Sequence, residues 1–333
     1  MLTFLQFLSE SKKSDARGKM HENLVHYFLN GGRHASSEHE KEHDTLRERV
    51  GREISGGEYN HAVGRAKHAA DYIRNNIAAG REISHIERTS KPGEVGESQS
   101  DNPSDIVIHF KDGSKHGISL KVSNKKNANV PVSNPGAGTI QKLTGVDTLS
   151  RNTKIVNALQ KRFPEMSGLS ADKRKELIRS NPHIQKIVKQ VSDLYLKNSA
   201  RKQADGIGKM SPEEKAKFIK TEVLRGSSSF PVSMMTSGGE NDDYTTQHKD
   251  PSKDFEHILK DPHKINHRVS GNSIIFSHSD HGDFGSLRYK YESQPLASSI
   301  KTAGALKPPK KKTTKPQVNP NNIQATPGPN PYL

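Results

Sequence analysis

Three residues of one predicted hairpin carry side chains that suit hydrolytic chemistry. Asp105 begins a largely apolar strand, and Ser119 and Lys121 lie in a second one, within the segment SDIVIHFKDGSKHGISLKVSNKKN (104–127). A carboxylate can ligate a hard metal ion, and a neighbouring ammonium group can stabilise negative charge that develops in a transition state. Whether these groups share one site depends on how the two strands pair.

The alternation of hydrophobic residues sets that register. Successive strand residues point to opposite faces, and the two apolar sets must share a face because a slip of one residue would expose one of them. These sets are Ile106, Ile108 and Phe110 in the first strand, and Ile118, Leu120 and Val122 in the second. Even-numbered positions should therefore pair with even-numbered positions.

The turn has to agree with this parity. A two-residue loop of Asp112 and Gly113 would pair Lys111 with Ser114 and break it. A three-residue loop, 111–113, pairs Phe110 with Ser114 and needs Gly113 in the left-handed conformation.

Further along the same ladder, Asp105 opposes Ser119, and Lys121 is one diagonal step away on the same face. The register that buries the hydrophobic residues thus brings the three polar ones together. The alternative is an ordinary surface ion pair between Asp105 and Lys121, which contributes about 0–1 kcal/mol.

The hairpin resembles the motif of the PD-(D/E)XK nuclease superfamily. Pro103-Ser104-Asp105 and Ser119-Leu120-Lys121 match it, and GISLK is similar to the second motif of some restriction endonucleases and phage nucleases. The chain departs from the motif because Ser104 follows Pro103 and Ser119 replaces the usual acid. The resemblance implies an α/β, restriction-endonuclease-like fold, which has a mixed central sheet flanked by helices, here with added helical and short β segments.

The resemblance also implies roles for individual residues. Many members carry an acid on the helix before the sheet, and Glu22 in GKMHENLVHYFLN fits that position. Asp105, Glu22 and the Leu120 carbonyl would ligate Mg²⁺, with Mn²⁺ as the alternative ion. Lys121 would orient the attacking water or stabilise charge at phosphorus, and Ser119 would hydrogen-bond to a metal-bound water or a phosphate. The rival acids are Glu40, Glu42, Glu53 and Glu58.

Several residues beyond the second strand are candidates for contact with DNA. Lys125 and Lys126 follow it directly and suit backbone phosphates. Asn124 belongs to a loop whose amide side chains can bind adenine edges, although a solvated loop is the alternative. Gln141, on a predicted helix, is an accessory candidate because some relatives have Gln there.

The net charge supports a polyanionic partner. Lys plus Arg total 52 against 37 acids, which gives a formal charge of +15. The tail 307–315 supplies only five of these positive charges. The excess therefore favours DNA, although solubility with a basic tail is the plainer explanation.

The chain has no cysteine, which excludes disulfides and Cys-ligated zinc.

Other motifs are weaker. SHSDHGD (277–283) offers His278, Asp280, His281 and Asp283, but its spacing matches no zinc motif, and it is typical of a polar turn before a strand. SSEHEKEH (36–43) lacks the HExxH order, and TSGGEND (236–242) lacks the Gly-Lys-Ser/Thr ending of a phosphate loop.

The N-terminal segment MLTFLQFLSE resembles the capsid-targeting leader of T-even-like tailed phages. Leu8-Ser9-Glu10 fits the Leu/Ile-x-Glu processing site of such leaders. The resemblance implies cleavage after Glu10 by a prohead protease and packaging in the capsid interior. The alternative is an amphipathic helix that docks on the protein. The segment is too short and too acidic for a secretory signal, and no apolar run is long enough to span a membrane.

The remaining patterns predict the order of elements. A helix over 15–30 ends at Gly31–Gly32, helical stretches fill 38–80, and a loop covers 89–103. Helices follow from Gln141 to about 225, two of them opened by capping serines in SADKRKELIR and SPEEKAKFIKTEVL. Short strands are predicted at 230–236, 272–278 and 286–293.

These elements give three segments. Residues 1–10 form the leader, and residues 11–304 form a nuclease-like domain with a core of about 15–145 and an extension of about 146–304. Residues 305–333 form a basic, Pro-rich tail whose composition predicts disorder.

The sequence thus predicts a phage-encoded, Mg²⁺-dependent DNA endonuclease in the host cytoplasm or the phage head. Ser119 keeps one alternative open, a non-catalytic DNA-binding or internal head protein on a degenerate nuclease fold. A structural virion protein whose charge offsets packaged DNA is the second alternative. Cleavage specificity and oligomeric state are left open.

Overall fold

The computed structural model describes most of the chain. The described residues are 4–53, 56–89, 104–123, 125–126, 133, 135–224, 230–291, 296 and 300–306, with the backbone alone at 4–15, 50–53, 56 and 252. Within these ranges, no helix combines the length and the hydropathy that a membrane-spanning segment needs. Most of the predicted loop 89–103 and the tail after residue 306 lie outside the described residues.

Ten α-helices occur within the described ranges, and most of them were predicted. They are α1 (Phe4–Leu29), α2 (Ser37–Glu53), α3 (Gly56–Tyr72), α4 (Ala137–Thr144), α5 (Leu149–Arg162), α6 (Ala171–Ser180), α7 (Pro182–Gly208), α8 (Pro212–Phe218), α9 (Pro251–Asp254) and α10 (Glu256–Leu259). Both predicted serine caps are confirmed. Ser170 accepts a hydrogen bond from Lys173 N at 3.3 Å, and Ser211 forms a reciprocal capping box with Glu214.

The first helix differs from its prediction. Two separate helices were expected, a leader and a second helix from residue 15, but α1 is continuous through Leu8-Ser9-Glu10. The end of α1 agrees with the prediction, because Gly31 and Gly32 follow it with φ of +72° and +79°. Left-handed backbone of this kind is what glycine permits at a helix C-terminus.

Five strands form the first sheet, in the order β1-β2-β3-β4-β5. The strands are β1 (Ile83–Arg88), β2 (Ile106–Phe110), β3 (Lys115–Val122), β4 (Val232–Glu240) and β5 (Asp243–Lys249). Only the β3–β4 pair is parallel, and its crossover carries α4 to α8, since parallel neighbours need a long connection. The predicted mixed sheet flanked by helices is confirmed, with the hairpin supplying its central strand.

The predicted hairpin register is confirmed residue by residue. Ile106 pairs with Ile118, and Phe110 N donates to Ser114 O at 2.9 Å. Gly113 has a φ of +81°, as the three-residue loop requires. The apolar sets of both strands therefore lie on the same face of the sheet.

The first sheet is covered on both faces, and β4 shows how. Met235 packs in the core formed with α1 and α3, which also holds Ile106 and Ile118. Its neighbour Met234 packs in a second core, which includes residues of α7, α8 and the second sheet. Because consecutive strand residues point to opposite faces, β4 contributes to both cores.

Four antiparallel strands form the second sheet, in the order β6-β7-β8-β9. They are β6 (Ile265–Ser270), β7 (Ser273–His278), β8 (Gly282–Tyr291) and β9 (Ile300–Leu306). β7 and β8 correspond to predicted strands, whereas β6 and β9 were missed. β9 extends two residues into the segment that was predicted as the tail, because Ala305 and Leu306 pair with β8.

Candidate active site

Asp105 lies immediately before β2, where the hairpin ladder ends. Its backbone N–H donates to the Ile118 carbonyl at 2.8 Å. This hydrogen bond holds the backbone of Asp105 beside β3, from where its side chain extends. Its Oδ2 accepts a hydrogen bond from Leu120 N at 2.6 Å. A backbone N–H that points beyond the end of β2 thus finds its partner in this carboxylate, as a buried N–H must.

Ser119 and Lys121 bring two further donors to the same oxygen. Ser119 Oγ donates to Asp105 Oδ2 at 3.3 Å, and Lys121 Nζ lies 3.4 Å from it. The side chains of Lys121 and Asp105 are 31% and 25% exposed, so both reach solvent from the sheet. The structure therefore brings together the three residues that the register placed on one face.

Glu22 lies within electrostatic reach of this group. It sits on α1, whose neighbours Leu24 and Val25 are buried in the core beneath the sheet. Burial and, next, the negative charge of Asp105 raise the pKa of Glu22 to about 8, although Lys121 opposes this rise. A cation bound here would stabilise the charged form of Glu22, which burial and the Asp105 carboxylate disfavour.

The rival acids have other roles or other surroundings. Glu58 is buried and accepts from Arg65 at 2.7 Å, and Glu42 pairs with the buried guanidinium of Arg88 at 2.8 Å. Glu40 is exposed on α2, and the side chain of Glu53 lies outside the described residues. Among the described acids proposed from the sequence, Glu22 is therefore the one that shares its environment with Asp105.

Two basic residues near Glu22 were missed in the sequence. The positive charges of Arg88 and Lys19 both lower the pKa of Glu22, against the effect of burial. Lys19 stands three residues before Glu22 on α1, a helical spacing that could have identified it. Arg88 ends β1, a strand that was not predicted.

The DNA-contact candidates have different outcomes. Lys125 is exposed, and its backbone approaches β4 so closely that a Cβ on Gly238 would lie 2.5 Å from its carbonyl oxygen. Lys126 forms an exposed ion pair with Asp243 of β5. Asn124 lies outside the described residues.

Gln141 has a local structural role. Its Oε1 accepts from the N–H groups of Thr148 at 3.0 Å and Leu149 at 3.2 Å. These are N–H groups at the start of α5, which lack partners within the helix. The Gln141 side chain therefore caps α5.

The SHSDHGD segment forms the turn between β7 and β8, as predicted. Gly282 has a φ of +71°. Asp280 pairs with Lys264 at 3.1 Å, and Asp283 pairs with Arg268 at 2.7 Å. The first pair thus joins the turn to the residue before β6, and the second joins β8 to β6.

Comparison with known proteins gives a weak likeness among solved structures and none elsewhere. No protein-family model matches the chain, and no curated protein matches it. Among solved structures, the restriction endonuclease MspI in complex with its cognate DNA matches with a TM-score of 0.29 and 14% sequence identity. The match covers 73% of this chain and 79% of MspI.

Proposed function

We propose that the chain is a Mg²⁺-dependent DNA endonuclease whose active site is formed by Glu22, Asp105, Ser119 and Lys121. The observation that carries this proposal is the position of Lys121 Nζ, 3.4 Å from the Asp105 carboxylate whose charge also reaches Glu22. A paired acid, a second acid and a lysine at one end of a sheet match the chemistry of phosphodiester hydrolysis.

The donor set suits a hard divalent cation. The hydrogen bonds of the Asp105 carboxylate to described residues converge on Oδ2, which leaves Oδ1 to ligate a metal. A strand residue directs its N–H and its C=O toward the same neighbouring strand. Since Leu120 N points to Asp105, we expect its carbonyl to point to the same side and to act as a further oxygen ligand.

Each residue then has a defined task. A bound Mg²⁺ supplies an acidic water and charge neutralisation at the scissile phosphate. Glu22 and Asp105 hold their carboxylates on one side of the site, and Lys121 places an ammonium group where negative charge develops at phosphorus. Ser119 positions the Asp105 carboxylate through its hydroxyl. Mn²⁺, which accepts the same oxygen ligands, is the alternative ion.

The basic surface supplies affinity for DNA. Exposed Lys125 follows the active strand, and Lys126 lies beside it in an ion pair with Asp243. Exposed pairs of this kind are weak, so a phosphate can replace Asp243 at Lys126. Such contacts position the duplex without selecting its sequence.

A non-catalytic DNA-binding protein is the second candidate. Ser119, where relatives have an acid, favours it because a hydroxyl brings no charge to a metal site. Asp105 is also satisfied by protein donors, as a structural carboxylate would be.

Cleavage of supercoiled plasmid separates the two candidates. We expect the wild type to nick or linearise the plasmid with Mg²⁺ and to leave it intact with EDTA. Lys121→Ala should lose this activity, whereas Lys111→Ala should keep it, because Lys111 lies in the hairpin turn and forms an exposed ion pair with Glu82, just before β1. DNA binding without cleavage by the wild type would instead establish the non-catalytic protein.

We also propose that the enzyme is phage-encoded, packaged in the head and trimmed after Glu10. The leader-like sequence MLTFLQFLSE supports this proposal. N-terminal sequencing of the protein recovered from virions would test it. We expect a chain that starts at Ser11, and a chain that starts at Met1 would contradict trimming.

A further inference from the structure

A second cluster of potential metal ligands lies on β1 and β2, away from the candidate active site. His85 and Glu87 are two residues apart on β1, so their side chains point to the same face. His109 of β2 pairs directly with His85, which brings a third ligand to that face. A register shift between Ile83 and His85 precedes the cluster, and such irregularities often redirect side chains near functional sites.

The three side chains already converge. His109 Nε2 lies 2.9 Å from Glu87 Oε2, and the rings of His85 and His109 stack with centroids 3.9 Å apart. One ligand atom from each residue lies within 4.8 Å of the others. Ligands of one tetrahedral zinc ion are about 3.3 Å apart, given bonds of about 2.0–2.1 Å. Small rotations of exposed or half-buried side chains would reach that geometry.

An independent observation comes from α2. His39 lines the same cavity as the three ligands, a space of about 530 Å³. Its Nδ1 is buried and has no hydrogen-bond partner among the described residues. A buried ring nitrogen normally has a partner, so an unpaired one at this cavity indicates a ligand to which it can bind.

We propose that His85, Glu87, His109 and His39 bind one Zn²⁺ ion. Two or three imidazoles with a carboxylate are a donor set for zinc, whereas Mg²⁺ prefers oxygen ligands. The ion would connect edge strand β1 to β2 and to α2, and it would replace the His109–Glu87 hydrogen bond.

This site is separate from the proposed nuclease site. His109 of β2 lies four residues after Asp105, a distance of about 13 Å along a strand. The imidazole groups of the cluster also suit zinc, whereas the oxygen ligands of the nuclease site suit Mg²⁺. The zinc proposal therefore does not depend on nuclease activity.

Zinc binding to the full-length chain tests the proposal. After treatment with a chelator, the protein is titrated with Zn²⁺ against a competing chromophoric chelator. We expect one tight equivalent per chain. His85→Gln, Glu87→Gln, His109→Gln and His39→Gln should each weaken it at least about tenfold, since even outer-shell changes cost 10–100-fold.

Two controls make the result specific. His281→Gln alters another histidine cluster, in which His281 contacts the rings of His257 and His278 with centroids 4.9 Å away, and it should bind zinc as the wild type does. Asp105→Asn should also retain zinc binding, which separates this site from the nuclease site. Circular dichroism would verify that each variant is folded. Equal zinc binding by the wild type and the His85, Glu87 and His109 variants would overturn the site, and unchanged binding by His39→Gln would overturn the fourth ligand.

Discussion

The carboxylate of Asp105 and the ammonium group of Lys121 lie 3.4 Å apart, although 15 residues separate them in the chain. Their proximity follows from the hairpin register that buries Ile106 against Ile118. The same strand register therefore packs the core and assembles the site, since a slip of one residue would disrupt both.

Glu22 should make the stability of the metal-free protein depend on pH. Its pKa is raised from 4.5 to about 8, so the folded state favours the protonated acid. The unfolded chain releases this proton at lower pH, and stability therefore falls as pH rises from about 4.5 through 8. Between pH 6 and 9 we expect the wild type to lose about 1–3 kcal/mol through this residue.

Glu22→Gln should remove this loss of stability at high pH, as measured by urea unfolding in EDTA at several pH values. Glu40→Gln is the matched control, because Glu40 is an exposed acid on α2. We also expect Mg²⁺ to raise the melting temperature of the wild type at pH 8 more than that of Glu22→Gln. An identical pH profile for Glu22→Gln and the wild type would contradict this account of Glu22.

His21 should make the protein less stable as pH falls, which is the opposite of the pH dependence expected for Glu22. Burial and the nearby Arg65 lower its pKa to about 3, and neither ring nitrogen has a hydrogen-bond partner among the described residues. The unfolded chain takes up a proton below about pH 6.5, whereas the folded chain does not, so stability is lost as pH falls toward 3. At pH 5 this loss is about 2 kcal/mol.

His21→Leu should therefore be less sensitive to acid than the wild type. Urea midpoints at pH 7 and pH 5 would measure the difference. His68→Leu alters an exposed histidine of α3 that hydrogen-bonds to Thr246 and should retain the acid sensitivity. A larger loss of stability between pH 7 and pH 5 in His21→Leu than in the wild type would show that the buried ring accepts a proton in the folded state.

The buried guanidinium of Arg65 should be one of the main stabilising groups. It lies 2.7 Å from Glu58 and donates to the Gly239 carbonyl at 3.1 Å, so it joins α3 to β4. Without Arg65, the buried Glu58 carboxylate keeps the more exposed Arg17 at 3.3 Å as a partner. We therefore expect Arg65→Met to cost about 3 kcal/mol, the lower end of the range for a broken buried pair.

The exposed pair of Lys111 and Glu82 provides the comparison for Arg65. Lys111→Met should cost no more than about 1 kcal/mol, because exposed ion pairs contribute little. Urea unfolding at one pH would compare the two variants. A similar small cost for both would show that water reaches the Glu58–Arg65 pair.

The hairpin could be predicted because several signals agreed. Alternating hydrophobic residues set its parity, and Gly113 supplied the left-handed residue that a three-residue turn needs. The same parity predicted that Ser119 and Lys121 lie beside Asp105, where both are found.

Other strands could not be predicted, for physical reasons. The register shift in β1 interrupts its alternation, which concealed Arg88 and the cluster of His85 and Glu87. β5 has the sequence DYTTQHK and lies at the edge of its sheet, so it carries few of the hydrophobic residues that identify a strand.

Gln141 shows a different limit of sequence reasoning. Its position on a helix after the hairpin was recognised, but its side chain caps α5. The orientation of a single polar side chain depends on neighbouring backbone groups, and no local pattern encodes these.

Single-turnover cleavage of supercoiled plasmid by Asp105→Asn tests the central claim most directly. The substitution keeps the size of the side chain and removes its charge, so the fold and the affinity for DNA should persist. With saturating Mg²⁺, we expect a rate at least about 100-fold below that of the wild type. A folded, DNA-binding Asp105→Asn variant that cleaves at the wild-type rate would contradict the assignment of this site.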